Sequence, residues 1–364
     1  MTAGFRNQID VTLCLADEVI GHVDIKPRTR PPLGRLFAGR PVEALLATVP
    51  RLFSLCATAH QVALLSALEA ARGEQAAATT RHRRIKAVVA ERLTELLRGL
   101  LPGPLTRDRA AAQQLLQAVT GLQGRSGSDG LAPFSSEVLS QIKMALAAPG
   151  IGLGPVVPGT RPASMMAQAR EASGDRGWRH MPVELCYLSA ADDEAIVSRL
   201  MVAGTAFAEA PELNGRIPET GVWARYVAQA GPELDGPFER LSAKISEIAA
   251  LVCWIEAGEG EDAASDEGLV ASYALGPRRG AAAVECARGR LHYAIELDGD
   301  GHIAHFEFLA PTEWNFHPYG PVAKRLTGAA RPRCAADHAA IEAMIGCFDP
   351  CVGYRVAVRE MADA

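Results

Sequence analysis

The run PVEALLATVPRLFSLCATAHQVALLSALEAA, Pro41 to Ala71, constrains the fold more than any other feature. Its apolar residues recur at helical spacing and it carries few charges. A helix formed here must therefore be buried along most of its surface. Pro41 suits a helix first turn, whereas Pro50 lacks an amide hydrogen and interrupts the pattern. The run predicts a helix over 41–48, a break, and a long helix from about Leu55 to Ala71. Further helices are predicted over 81–101, 107–122, 134–148, 192–208, 237–257 and 335–347.

Strand signals lie toward both chain ends. IDVTLCL and VIGHVDI, between Ile9 and Ile25, alternate apolar and polar residues about a turn at Ala16-Asp17-Glu18. LGRLFAG reads as a third short strand. VECARGRLHYAIEL and HIAHFEFLAP flank the turn sequence DGDG and predict a β-hairpin. The reading is one α+β domain over 1–364, mainly α, with a long helical core and β-structure from both ends. PGIGLGPVVPGTRP, 149–162, is its most flexible insertion or linker, Gly124–Gly130 a second loose stretch, and the acidic 258–268 a solvated loop.

Apolar residues make up 48% of the chain, enough for a sizeable core. The 37 basic and 42 acidic residues give a net charge of −5, which argues against a nucleic-acid partner. The N-terminus MTAGFRNQIDVTL lacks a basic stretch followed by an apolar run, and no apolar stretch reaches bilayer length. A cytoplasmic protein without membrane insertion is expected, its eight cysteines reduced rather than paired.

Four clusters carry chemistry. In RLFSLCATAH, Cys56 and His60 stand four apart, on one helix face, a spacing that also fits a buried thiol and an ordinary helix histidine. In DPCVGY, Pro350 fixes the backbone before Cys351, as it also would in a chain end tucked into a core. In VECARGRLH, Arg288 beside Gly289 can approach an anion closely, or can simply be a solvated edge residue. PTEWNFHP, with Trp314 and Asn315 between two prolines, marks a rigid corner, with packing as plausible a reason as function.

Taken in order, these clusters resemble the large subunit of nickel–iron hydrogenases. That family carries R-x-C-G-x-C-x-x-x-H, E-x-P-R-G-x-L-H, P-T-x-W-N and D-P-C-x-x-C-x-x-H in this sequence. Arg51, Cys56 and His60 match the first motif. Glu285, Arg288, Gly289, Leu291 and His292 match the second. Pro311, Thr312, Trp314 and Asn315 match the third, and Asp349, Pro350 and Cys351 the last. EVIGH, Glu18 to His22, is similar to the family's R-I-E-G-H strand.

The resemblance implies a large-subunit-like fold with Cys56 and Cys351 as metal ligands. Arg288 would then lie beside the cyanide and carbonyl ligands of an iron centre, with His60, Glu285, His292 and Asp349 around it. It also implies losses. The family's four thiolates are reduced to two, because Phe53 and Tyr354 replace cysteines. Ile20 replaces the proton-gate glutamate, and Ala357 the last histidine, so neither turnover nor proteolytic maturation is expected. Two thiolates do not hold nickel stably, although a Tyr354 phenolate is an available if poor substitute.

This pattern is similar to HupK-type accessory proteins, paralogues of the large subunit. The implied role is a non-catalytic scaffold holding an iron–cyanide–carbonyl fragment. Its implied partners are the chaperones and cofactor-assembly proteins of hydrogenase biogenesis and the large subunit itself. Two alternatives are a metal-free interaction module that mimics the large subunit and, ranked last, a hydrogenase with an altered site. Cys286 and Cys347 lie near the motifs, yet read as ordinary thiols before they read as ligands. A ligand pair requires the Cys56 and Cys351 sulfurs to converge, with Arg288 facing the same point.

Overall fold

A computed structural model of the chain describes residues 6–100, 136–147, 186–230, 235–256 and 268–361, with the isolated positions 113 and 117. The expected helix at 107–122 falls almost wholly outside the described residues. So do the stretches 124–130 and 149–162 and most of the acidic loop.

The strands β1 (Ile9–Ala16) and β2 (Val19–Lys26) form the expected antiparallel hairpin. β7 (Tyr354–Glu360) joins β1 in parallel, running from Ile9 opposite Tyr354 to Leu15 opposite Glu360. The sheet order is therefore β2-β1-β7, and both ends of the described chain meet in one sheet. Its inward residues Ile9, Val11, Leu13, Ile20 and Val23 pack on Ile341, Met344 and Ile345 of α11 (Ala335–Gly346). Ile20 is fully buried in this core.

LGRLFAG is not a strand. It forms the short helix α1 (Leu33–Phe37), which follows Pro31-Pro32 and buries Leu33 and Phe37. Prolines suit a helix start, and the buried pair is spaced four apart, as a helix face requires. Pro50 does not separate two helices either. α2 (Val42–Leu52) runs through it and stops two residues later, at the extended Phe53. Proline at the end of a helix forfeits one hydrogen bond but has little helix left to bend.

The long helix α3 (Ala57–Arg72) buries Ala59, Val62, Ala63, Leu64, Ala67, Leu68 and Ala71. The alanines matter for approach. A Cβ at Gly280 would lie 2.2 Å from the Ala67 carbonyl oxygen, so helix and strand meet backbone to backbone. Gly73, with φ 70°, ends the helix in the left-handed conformation that only glycine adopts without penalty. α4 (Ala78–Arg98) packs Ile85, Leu93 and Leu96 against Ile245 and Ile248 of α8 (Pro237–Glu256). Other described helices are α5 (Ser136–Ala147), α6 (Asp193–Glu209), α7 (Val222–Ala230), α9 (Pro311–Asn315) and α10 (Pro321–Leu326).

The second sheet is an antiparallel meander, β3 (Val270–Gly276), β4 (Arg279–Cys286), β5 (Gly289–Leu297) and β6 (Ile303–Leu309). Ala282, Val284, Leu291 and Tyr293 face the core of α3, while Ala281 and Ala294 pack with Ile196, Leu200 and Trp314 on the opposite face. The central strands are thus buried on both sides, which explains their nearly continuous apolar sequence. VECARGRLHYAIEL is not one strand. It breaks at Ala287-Arg288, because Gly289 adopts φ 126° and closes a tight hairpin between β4 and β5. No described helix is long and apolar enough to cross a membrane.

Candidate metal centre

The hairpin tip puts Arg288 at the site. Gly289 is required there, since a Cβ would meet the Thr220 hydroxyl oxygen at 2.3 Å and the Gly221 amide nitrogen at 2.8 Å. Thr220 is held in turn by Asn315. Its amide donates to Asn315 Oδ1 at 3.0 Å, and Asn315 Nδ2 donates back to its carbonyl at 2.9 Å. Arg225, on α7, donates to the carbonyls of Cys286 and Ala287 at 3.4 and 3.1 Å. The turn carrying Arg288 is therefore fixed from two sides.

Arg288 is buried. Its guanidinium donates to Cys56 Sγ at 3.2 Å and lies 3.3 Å from Glu95 Oε2 through both terminal nitrogens. Burial opposes its charge, but Asp349, Cys56, Glu95 and Cys286 more than compensate and hold it firmly protonated. Cys56 immediately precedes α3, with φ 55°. No side chain of its own caps the helix. Glu91 of α4 takes that role, accepting the Thr58 and Ala59 amides at 2.7 and 2.9 Å. A carboxylate at a helix N-terminus satisfies amides that lack partners within the helix and complements its dipole.

Cys351 comes from the opposite end of the chain, and Thr312 of α9 holds it. The Thr312 hydroxyl donates to Cys351 Sγ at 3.2 Å and accepts the Cys351 amide at 3.3 Å. Burial pushes the Cys351 thiol up, opposed by the nearby charges of Arg28 and Arg288. Arg288 is thus a common neighbour of both motif cysteines, in contact with one and electrostatically coupled to the other.

Not every expected residue faces this point. His60 stacks flat on Phe53, with ring centroids 3.6 Å apart, and its Nδ1 lies 2.7 Å from the Tyr293 hydroxyl. Burial, and then the charge of Arg28, lower its pKa to about 3, so it is neutral. Glu285 and His292 belong to a buried charge network: Glu285 pairs with Arg225 and Arg290, and His292 Nε2 lies 3.0 Å from Asp193 Oδ1. They position the hairpin rather than line the thiols. Asp349, with φ 49°, directs its charge at Arg288. Tyr354 is not a ligand substitute, because its hydroxyl donates to the Glu342 carbonyl at 3.1 Å. Cys347 is engaged too, 3.7 Å from the Pro237 carbonyl oxygen.

Sequence reasoning missed Glu91, Glu95, Thr220, Arg225, Arg28 and the contact role of Thr312. Glu91 and Glu95, four apart on a helix with Leu93 and Leu96, offered the clearest signal.

The residues present fit a thiolate-bound fragment with polar ligands and do not fit a four-thiolate nickel site. Around the cysteines, Arg28 Nε, Arg288 Nε, Glu313 Oε2 and Asp349 Oδ2 are buried without hydrogen-bond partners. Unsatisfied buried groups of this kind call for a polar guest or water. Phe53, by contrast, offers no ligand atom and stacks its ring on His60. Among the described residues, only Asp298, Asp300 and His302 form a set of three or more mutually close ligand atoms of His, Cys, Asp or Glu. They lie on the β5–β6 turn. Three close thiols are therefore not preassembled.

The fold defines the class: a protein built like a nickel–iron hydrogenase large subunit. The chain superposes on the Ni-Fe-Se hydrogenase of D. vulgaris Hildenborough with TM-score 0.60 at 14% identity, covering 92% of this chain and 94% of that one. An NAD+-reducing [NiFe]-hydrogenase gives TM-score 0.60 at 16% identity, covering 91% and 92%. No protein-family model matches the sequence. Full-length relatives do. The chain is 45% identical to the hydrogenase expression/formation protein HupK of Bradyrhizobium diazoefficiens, over 100% of both chains. It is 35% identical to HupK of Rhizobium leguminosarum bv. viciae, over 98% of this chain and 97% of the relative. The chain belongs to the HupK family of hydrogenase expression/formation proteins.

Proposed function

We propose that this protein is a non-catalytic scaffold in nickel–iron hydrogenase maturation, holding an iron–cyanide–carbonyl fragment through Cys56 and Cys351. The observation that carries this reading is the contact of Arg288 with Cys56 at 3.2 Å, together with its unpartnered, buried Nε. A guanidinium so placed can donate to cyanide nitrogens. Nickel is not part of the cargo, since positions 53 and 354 supply no thiolate and Tyr354 is committed to α11. Turnover is not expected, because Ile20 cannot relay a proton. The partners would be the chaperones and cofactor-assembly proteins that bring the fragment and the large subunit that takes it, all in the cytoplasm.

The test is anaerobic co-expression with the hydrogenase assembly machinery, purification and infrared spectroscopy. Cyanide and carbonyl stretching bands are expected in the wild type and absent from Cys56→Ala and Cys351→Ala. Bands missing from the wild type, or unchanged in both variants, would refute the reading.

A further inference from the structure

We propose that Cys286 is a metal ligand, forming with Cys56 a thiolate pair that receives the iron fragment at the tip of the β4–β5 hairpin. The proposal rests on the reading above and adds a residue that lies in none of the four cysteine positions of the motifs.

Both thiols are buried in one core cluster, and Arg288, two residues past Cys286 in the tight turn that pairs Cys286 with Gly289, reaches Cys56 Sγ at 3.2 Å. Each is fixed. Cys56 is held by its left-handed backbone and the Glu91 cap. Cys286 ends β4, and its carbonyl accepts from Arg225. Arg288 then closes over the pair from the Cys56 side at 3.2 Å.

Two buried thiols beside a buried cation are unlike the chain's other cysteines. Cys347 bonds to the Pro237 carbonyl, and Cys253 and Cys334 are exposed.

The step balances without redox chemistry. Two S–H bonds break and two protons leave to solvent. Two iron–sulfur bonds form in place of two labile water ligands, and the iron keeps its oxidation state. Cys351 completes the grip from outside this pair.

The test uses the reduced full-length protein, titrated anaerobically with Co²⁺ and read by thiolate-to-cobalt charge-transfer absorption. The variants are Cys56→Ala, Cys286→Ala, Cys286→Ser, Cys351→Ala and, as control, Cys334→Ala. Cys286→Ser keeps the side-chain volume but offers a hard oxygen in place of sulfur. The band is expected in the wild type and in Cys334→Ala, and should fall by at least about a third in both Cys286 variants, one thiolate of two or three being lost. Circular dichroism confirms that the serine variant is folded. A wild-type band in folded Cys286→Ser overturns this inference alone, if Cys56→Ala and Cys351→Ala still lose intensity. No band in the wild type overturns the scaffold reading with it.

Discussion

Thr312 grips Cys351 at two points, its hydroxyl donating to the sulfur at 3.2 Å and accepting the backbone amide at 3.3 Å. One side chain of the P-T-x-W-N element therefore sets both the direction of the thiol and the path of the chain around it. Asn315, one turn further on, fixes Thr220 beneath the Arg288 turn. The short helix α9 is the common base of the arginine and the C-terminal thiol.

Thr312→Val keeps the shape of the side chain and removes both bonds. It is expected to lower unfolding free energy by about 1–2 kcal/mol, the net worth of two modest hydrogen bonds. Urea denaturation measures this. A midpoint equal to wild type would mean that α9 does not hold Cys351.

Asn315→Ala leaves the Thr220 amide and carbonyl without their partner in a buried setting. The expected loss is roughly 2–4 kcal/mol, because each stranded group costs its desolvation. The infrared bands of the loaded protein should weaken in parallel if the Arg288 turn loosens. Full stability in this variant would break the link from Asn315 to Arg288.

His60 makes stability depend on pH. Its folded pKa of about 3 lies below the ordinary histidine value, so between about pH 6.5 and pH 3 the unfolded chain binds a proton that the folded chain refuses. Its contribution is complete above that window and is lost as pH falls through it, at up to about 1.4 kcal/mol per pH unit. His60→Phe should flatten this slope while preserving the stack on Phe53. Denaturant titrations at pH 7 and pH 5 compare the two proteins, and parallel slopes would contradict the assignment.

Cys56, Cys351 and Arg288 stood out in the sequence by residue identity, and the strand pairs at both ends were readable from local alternation. What was not readable depends on neighbours distant along the chain. Glu91 caps α3 from another helix, so no spacing around Cys56 announces it. LGRLFAG shows a period too short to separate strand from helix, and the prolines before it decided the outcome. Cys286 looked ordinary, since Cys56, which shares its core cluster, lies far away in sequence, just before α3. Glu285 and His292 matched a motif, yet the match reflects a buried charge network around Asp193 and Arg290.

The parallel pairing of β1 with β7 has a consequence in time. During synthesis, Cys56, Cys286 and Arg288 all leave the ribosome before Cys351 does. Until Tyr354–Glu360 finds its place beside Ile9–Ala16, Cys351 is not held against the rest of the fold by its strand. Closing so long a loop is entropically costly and slow compared with forming the hairpins within it. Cys351 therefore reaches the neighbourhood of Arg288 only when the final strand pairs with the first, so the order of synthesis makes it the last of these residues to be placed.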